Sequence, residues 1–229
     1  MRRRGFRPCG SVVEHSLGKG EVAGPIPAMG TRKKTMSNIF LVSDTHFGHA
    51  GVCKFTREDG TKLRPWTDPD EMDEAMVQRW NETVGVKDKV YHLGDVVINR
   101  RALKILHRLN GDKVLVKGNH DIFRLEDYTP HFRDIRAYVV MTGAGIIMSH
   151  IPLHEDSHGR FGLNVHGHLH EKRVMLRHGG KPTNRIDPRY MCVCVEQTDF
   201  RPISLDEVLD RSRAEGGKPG LQGAVSNWN

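Results

Sequence analysis

The sequence has few cysteines, no long apolar run and a modest aromatic content. Its four cysteines, Cys9, Cys53, Cys192 and Cys194, form no CxxC pair and no disulfide ladder of the kind found in short secreted chains. No stretch approaches the 18 apolar residues of a membrane span, and no apolar segment of a secretory signal follows the basic start. These absences favour a soluble cytoplasmic protein that does not interact with membranes.

Basic and acidic side chains are nearly equal in number over most of the chain, although the net charge of the whole chain is +7. Residues 1–35 hold eight basic and two acidic side chains, whereas residues 36–229 hold 27 basic and 26 acidic ones. The larger part therefore lacks the basic surplus typical of proteins that bind nucleic acid. A nucleic-acid partner is possible but not supported by this charge.

The first 35 residues are rich in glycine and proline and show no hydrophobic periodicity. We expect a disordered extension over 1–35, with translation starting at Met36. A basic tail that contacts nucleic acid or a membrane surface is the alternative. Residues 36–213 are expected to form one domain, because about 200 residues suffice for one core, and residues 214–229 a flexible tail.

Short apolar runs alternate with helical patterns along this domain, which predicts an α/β fold. Strands are predicted at 38–42, 89–93, 114–116 and 163–165, a hairpin at 137–148 and a last strand at 191–195. A helix is predicted after Asp68-Pro69-Asp70-Glu71, with an Asp cap and Pro at its first position. Two more helices are predicted over 100–109 and 205–213.

Five polar blocks follow these strands, where sites in α/β proteins gather. In chain order they are Asp44-Thr45-His46, Gly94-Asp95, Gly118-Asn119-His120-Asp121, Ser149-His150 and His166-Gly167-His168-Leu169-His170. Histidine, carboxylate and amide groups are the mixture that a two-metal hydrolytic site needs. Two divalent cations with two carboxylates and one hydroxide would leave a net charge of about +1, which attracts a phosphate ester.

The order DxH, GD, GNHD, H, GHxH resembles the calcineurin-like metallophosphoesterase family, in particular its small uncapped bacterial and phage members. The resemblance covers residues 44–170 and implies a single-domain, two-sheet α/β/β/α sandwich. It implies that a hydroxide bridging two metal ions attacks the phosphorus in line. Carried over residue by residue, the resemblance gives these metal ligands: Asp44, His46 and His170 on one ion, Asn119, His150 and His168 on the other, and Asp95 on both.

The same resemblance implies that His120 lies on the leaving-group side, so His120 and Asp95 are the expected catalytic residues. The ions are expected to be manganese, with iron, zinc, cobalt or nickel as alternatives. Phosphodiesters are the expected substrates, since the sequence shows neither a cap nor a pocket for a dianion. A nuclease of the same family and a non-catalytic metal-binding module remain alternatives.

Some residues near the blocks leave their roles open. Gly94-Asp95-Val96-Val97-Ile98-Asn99-Arg100 lacks the second Asp of the protein-phosphatase motif, so protein phosphatase activity is not expected. Asp121 either orients His120 or caps a turn. Residues 54–67 form a long loop that either borders the site or packs as surface. The cysteines at 192 and 194 are interpreted as core, and the remaining histidines (His49, His154, His158, His166) as supporting or surface residues, as are Arg100 and Arg160.

Overall fold

The computed structural model describes residues 37–220. The expectations for the segment 1–35 and for a start at Met36 lie outside this range, as do residues 221–229 of the expected tail. Within the described range, α4 ends at Ala214, and Glu215 then accepts a hydrogen bond from Arg173. The Gly162 amide donates to the Gly220 carbonyl at 3.2 Å.

Strands and helices alternate through this range. The strands are β1 (Ile39–Val42), β2 (Lys89–His92), β3 (Asp112–Val116), β4 (Asp134–Arg136), β5 (Tyr138–Met141), β6 (Ile146–Ser149), β7 (Leu163–His166), β8 (Met175–His178), β9 (Lys181–Ile186), β10 (Tyr190–Cys192) and β11 (Ile203–Ser204). The α-helices are α1 (Pro69–Thr83), α2 (Leu125–Tyr128), α3 (Glu155–His158) and α4 (Leu205–Ala214). Short 3-10 helices span Val52–Lys54, Arg100–Arg108, Thr142–Ala144 and Val195–Gln197.

These strands form two mixed sheets and a separate hairpin. The first sheet has the order β11-β1-β2-β3-β4, in which β1 to β4 are parallel and β11 is antiparallel to β1. The second has the order β10-β7-β6-β5, in which β10, β7 and β6 are parallel and β5 is antiparallel to β6. The described residues thus form a mixed α/β fold, in agreement with the predicted class.

The central strands of the first sheet bury both of their faces, as expected of parallel strands. Phe40 and Val42 of β1 pack in one hydrophobic cluster with residues of α1, while Leu41 between them belongs to a second cluster. That second cluster also contains Met148 of β6 and Val165 of β7 from the other sheet. Alternate side chains of one strand therefore reach two cores, one of which includes residues from both sheets.

Helix α1 begins where its capping signals predict. Asp68 accepts a hydrogen bond from the Asp70 amide, and Pro69 occupies the first helical position. Met72, Met76 and Trp80, spaced about one turn apart, are buried. The helix ends at Thr83, and the Val84 amide donates a hydrogen bond to the Trp80 carbonyl in its last turn.

Two predicted elements differ in kind or length. The segment predicted as a helix over 100–109 is a 3-10 helix over Arg100–Arg108, and its i, i+3 leucines fit three residues per turn. The last predicted strand shortens to β10, since Cys194 makes only an isolated bridge to Ser43. The β8–β9 hairpin was not predicted, because its strands are mostly exposed and polar. Among the described residues, the helices are all too short or too polar to cross a membrane.

Candidate metal centre

The five polar blocks meet at the carboxyl ends of parallel strands. The blocks after β1 and β2 are joined by backbone hydrogen bonds, from the Asp44 amide to the Gly94 carbonyl and from the His46 amide to the Asp95 carbonyl, both 3.0 Å. The block after β7 is joined to the block after β6 by a 2.8 Å bond from the Gly167 amide to the His150 carbonyl. Side chains that lie up to 126 positions apart in the sequence thus gather in one place.

Two groups of side chains in this place could each hold a metal ion. Asp44, His46 and His170 form the first group, and Asp95, His150 and His168 form the second. Within each group the potential ligand atoms all lie within 4.8 Å of one another. Six of the seven metal ligands expected from the sequence therefore fall into the two groups.

The seventh expected ligand, Asn119, lies beside the second group. Its Oδ1 is 2.8 Å from His150 Nε2 and 3.0 Å from His168 Nδ1. An amide oxygen and an unprotonated imidazole nitrogen are both electron-pair donors to a cation. Their convergence is the arrangement that a cation would stabilise.

Asp95 connects the two groups. Its Oδ2 lies 3.7 Å from His46 Nε2 in the first group and 3.4 Å from His150 Nε2 in the second. Its Oδ1 accepts a 2.7 Å hydrogen bond from the His120 amide, which fixes the orientation of the carboxylate. One carboxylate oxygen is thereby directed at ligands from both groups.

The two oxygens of Asp44 have different surroundings. Oδ2 is within hydrogen-bonding distance of Ser43 Oγ at 2.6 Å, the His168 amide at 2.8 Å and Cys194 Sγ at 3.1 Å. Oδ1 is buried and has no hydrogen-bond partner within residues 37–220. A buried oxygen without a partner is costly unless something outside the chain neutralises it, and a cation would do so.

The imidazoles also leave nitrogen lone pairs directed at this place. His150 Nδ1 lies 2.7 Å from the Leu93 carbonyl, which can only accept, so in the neutral ring Nε2 carries the lone pair. In the same way His170 Nδ1 lies 3.0 Å from Glu196 Oε1, which leaves His170 Nε2 free to bind. Both nitrogens of buried His46 lack a hydrogen-bond partner among the described residues. The residues present therefore fit two metal ions.

Electrostatics keep the carboxylates of the centre ionised. Burial opposes ionisation of Asp44 and Asp95, but neighbouring histidines outweigh it and hold the pKa of each below its ordinary value. Burial likewise opposes protonation of His150 and His170, yet the adjacent carboxylates Asp95 and Glu196 raise their pKa values. Protons and cations therefore compete for the same nitrogens, so metal affinity should fall at low pH.

The backbone is strained at the expected ligands. Asp44, His46, Asp95, His168 and His170 all have positive φ, between 49° and 70°. Non-glycine residues rarely adopt this region, and each such residue costs on the order of 1 kcal/mol or more. Five of the seven expected ligands thus have conformations that the surrounding fold must impose.

Two glycines allow the blocks to approach closely. At Gly94, which has φ +99°, a Cβ atom would lie 2.6 Å from the Gly118 amide and 2.7 Å from His150 Nδ1. At Gly167 a Cβ atom would lie 2.0 Å from Ser43 Oγ and 2.5 Å from Asp44 Oδ2. No other residue would fit at either position without moving expected ligands.

His120 and Asp121 follow Asn119 but have different surroundings. The exposed His120 ring lies 5.4 Å from the His46 ring, edge to face. Buried Asp121 accepts hydrogen bonds from the amides of Asp95, Val96 and Gly118 at 2.8 to 2.9 Å. Of the two roles left open for Asp121, the structure supports the turn cap.

The other residues considered from the sequence lie around or away from the centre. His49 packs 5.6 Å from His46, and burial lowers its pKa to about 4. Arg100 pairs with Asp127, and Arg160 stacks on Phe161. The remaining residues of this set were predicted as core, supporting or surface residues: His154 is exposed, while His158, His166, Cys192 and Cys194 are buried.

Two residues in contact with the centre were missed as candidates. Arg64, in the long loop 54–67, donates to the carbonyls of Asp44 and Thr45. Glu196 contacts His170 from the segment after β10. Both lie outside the five blocks, and the contacts of a single polar residue in a loop cannot be predicted from the sequence. Complete burial of a charged pair becomes visible only in the structure.

Comparison with known proteins gives relatives without an assigned activity. No protein-family model matches the chain. It is 31% identical over 179 residues to the uncharacterized protein MJ1445 of Methanocaldococcus jannaschii, covering 76% of this chain and 91% of that protein. It is 30% identical over 173 residues to the gene 66 protein of Mycobacterium phage D29, covering 61% of this chain and 81% of the phage protein.

Solved structures include one clear likeness. The crystal structure of the protein of unknown function AQ665 from Aquifex aeolicus has a TM-score of 0.54 and 26% identity, over 77% of this chain and 99% of that one. An archaeal protein described as a novel phosphodiesterase has a TM-score of only 0.38 and 18% identity, which is too weak to support a conclusion. At the levels of identity and coverage given above, the chain belongs to the family of MJ1445 and the mycobacteriophage gene 66 protein.

Proposed function

We propose that this protein is a calcineurin-like metallophosphoesterase that hydrolyses phosphodiesters with two bound divalent metal ions. The observation that supports this most is the position of Asp95 Oδ2, 3.7 Å from His46 Nε2 and 3.4 Å from His150 Nε2. A carboxylate oxygen that reaches ligands of both groups is what a bridged pair of ions requires. The proposed fold type is the two-sheet α/β/β/α sandwich of that family.

The chain's own residues divide the work of the proposed reaction. Asp44, His46 and His170 would hold one ion, Asn119, His150 and His168 the other, and Asp95 both. The ions, when bound, would neutralise the phosphate and lower the pKa of a water that acts as nucleophile. His120 would protonate the leaving oxygen, since its ring is exposed beside the first group.

A diester is favoured because Arg64, the arginine that contacts the first ligand group, directs its donors at the protein itself. Arg64 is fully buried and donates to two carbonyls and to Glu196. Arg100 is paired with Asp127, and Arg160 stacks on Phe161. The second negative charge of a monoester would therefore lack a dedicated cationic partner.

Metal identity is proposed from ligand type. Imidazole, carboxylate and amide oxygen together suit manganese, and also iron, zinc, cobalt or nickel. Manganese is proposed for loading because the seven proposed ligands include carboxylate and amide oxygens and no thiolate. Comparing turnover after reloading with each metal would rank them.

The proposal is tested by reloading the metal-stripped full chain with Mn²⁺ and assaying bis(p-nitrophenyl) phosphate against p-nitrophenyl phosphate. Asp95→Asn should abolish diester turnover, because it removes the shared charge. His120→Ala should lower kcat by roughly 10²–10⁴-fold, the range for loss of a general acid, while both ions stay bound. Asp134→Asn, in an exposed pair with Arg136, is the control and should keep wild-type activity.

Two results would contradict this proposal. Diester turnover that survives Asp95→Asn would exclude the bridging role. A wild-type chain that binds two ions and turns over neither ester would favour a non-catalytic metal-binding module.

A nuclease is a second candidate, favoured by the β8–β9 hairpin. Residues 172–189 contain six basic side chains and one acidic one, and they follow His170 after a single acidic residue, Glu171. Among the described residues, no carboxylate pairs with exposed Arg177, Lys181 or Arg185. If nucleic acid is the substrate, replacing these three by Ala should slow oligonucleotide cleavage and reduce its salt dependence, with the chromogenic diester unaffected.

A further inference from the structure

A buried ion pair lies against the first ligand group. The side chains of Arg64 and Glu196 are both fully buried, and Arg64 Nη2 lies 2.7 Å from Glu196 Oε1. Arg64 Nε donates to the same oxygen at 2.8 Å. The pair joins the loop 54–67 to the segment after β10, across 132 positions of sequence.

The guanidinium of Arg64 also bonds to the turn that carries two expected ligands. Its Nη1 donates to the Thr45 carbonyl at 2.8 Å and its Nη2 to the Asp44 carbonyl at 2.6 Å. In this turn Asp44 has φ 58° and His46 has φ 49°. Since both conformations are unfavourable for side-chain-bearing residues, bonds from Arg64 help to keep the turn in the binding geometry.

Glu196 contacts the third expected ligand of the same group. His170 Nδ1 lies 3.0 Å from Glu196 Oε1, the oxygen that also receives Arg64. A carboxylate on Nδ1 fixes the imidazole tautomer and makes Nε2 a stronger ligand. The pair thus contacts Asp44 and His170 of the first group and the Thr45 carbonyl that precedes the third member, His46. Its named contacts do not include the second group.

We propose that Arg64 and Glu196 are positioning residues that set the affinity of one of the two ions, the one held by Asp44, His46 and His170. This rests on the proposed function, since it presumes two bound ions. Stability alone is a weak reason for the pair, because an ion pair taken out of water often stabilises a protein no more than packed apolar side chains. Its contacts run instead to the ligands.

The test measures metal binding to the full chain rather than activity. Mn²⁺ is titrated into metal-stripped protein by calorimetry, and bound metal is counted after equilibrium dialysis. In Glu196→Gln the amide oxygen can still accept from Arg64 and His170, so the change removes the charge and little else. One ion should bind about 10- to 100-fold more weakly, as loss of a ligand's supporting partner typically causes, and the other within about twofold of wild type.

Asp187→Asn provides the matched control. Asp187 is also a buried carboxylate paired with an arginine, 2.7 Å from Arg189 Nη2, but it contacts no expected ligand. This variant should bind both ions as the wild type does. If Glu196→Gln does not fold, the apolar double variant Arg64→Met with Glu196→Leu removes the buried charges together and should show the same selective loss.

The outcomes separate this role from the proposed function. Two ions with wild-type affinities in Glu196→Gln, or equal weakening of both, would overturn the positioning role and leave the dinuclear centre standing. A wild-type chain that binds fewer than two ions would overturn the dinuclear centre and this role with it.

Discussion

Replacing Asp121 by Asn should destabilise the protein by disturbing the loops that carry Asp95 and Asn119. Asp121 Oδ2 accepts from the amides of Asp95 and Gly118 at 2.8 Å, and Oδ1 accepts from the Val96 amide at 2.9 Å. An asparagine has one oxygen and one NH₂ group at these two positions. At least one of the three amides would therefore face another donor in a buried place.

The expected cost follows from those bonds. A buried donor left without an acceptor costs about 1–3 kcal/mol. Burial raises the pKa of Asp121, so removing its desolvated charge returns part of this cost. The free energy of unfolding should therefore fall by about 1 kcal/mol, which for a domain of this size lowers Tm by roughly 2–4 °C.

Thermal unfolding of the metal-free full chain measures this change. Asp134→Asn, in an exposed pair with Arg136, serves as control and should stay within about 0.5 kcal/mol of wild type. In the metal-loaded Asp121→Asn protein, affinity for both ions should also fall, because both loops carry ligands. An unchanged Tm with a lowered kcat would refute the turn-cap role and point to an orienting contact with His120.

Three further predictions concern the buried carboxylate of Asp73, the close packing at Gly94 and the removal of bound metal. Burial raises the pKa of Asp73 from 3.8 to about 6. This shift corresponds to about 3 kcal/mol of stability that is present below pH 4 and lost as the pH rises through 6. Asp73→Asn should therefore flatten the dependence of the free energy of unfolding on pH, measured by urea titration. Gly94→Ala should cost more than Gly180→Ala, although both glycines have positive φ, because the first meets Gly118 and His150 and the second meets nothing within 4 Å; thermal melts that rank them equally would contradict the close approach. The Tm of the Mn²⁺-loaded chain should exceed the Tm measured after chelation, and the difference should grow with the free Mn²⁺ concentration used for loading, as binding linkage requires. A Tm that does not depend on Mn²⁺ would exclude specific binding to the folded state.

Much of the fold was predictable because local signals and tertiary structure agree. The Asp68-Pro69 cap, the apolar run of β1 and the hairpin of β5 and β6 each carry their own pattern, and each forms as expected. The segment over 100–109 was predicted only as a helix, and it forms a 3-10 helix over Arg100–Arg108, since leucines three apart fit both helical periods. The β8–β9 hairpin has no apolar alternation and could not be recognised.

The candidate centre was predictable in its ligands but not in its supporting contacts. Asp44 and His46 are two positions apart at a strand end, so spacing alone brings them together. Arg64, Asp121 and Cys194 contact the centre through folds of the chain that spacing does not encode. Positive φ at the ligands is likewise not predictable from the sequence, because aspartate and histidine adopt this region more often than most residues but still in only a small minority of cases.

The most direct test of the proposed dinuclear centre is a crystal structure of the full chain soaked in Mn²⁺, with the ions located by anomalous scattering. Such a centre should give two peaks about 3.5–4 Å apart, one ligated by Asp44, His46 and His170 and the other by Asn119, His150 and His168, with Asp95 between them. A single peak, or two that do not share Asp95, would contradict it.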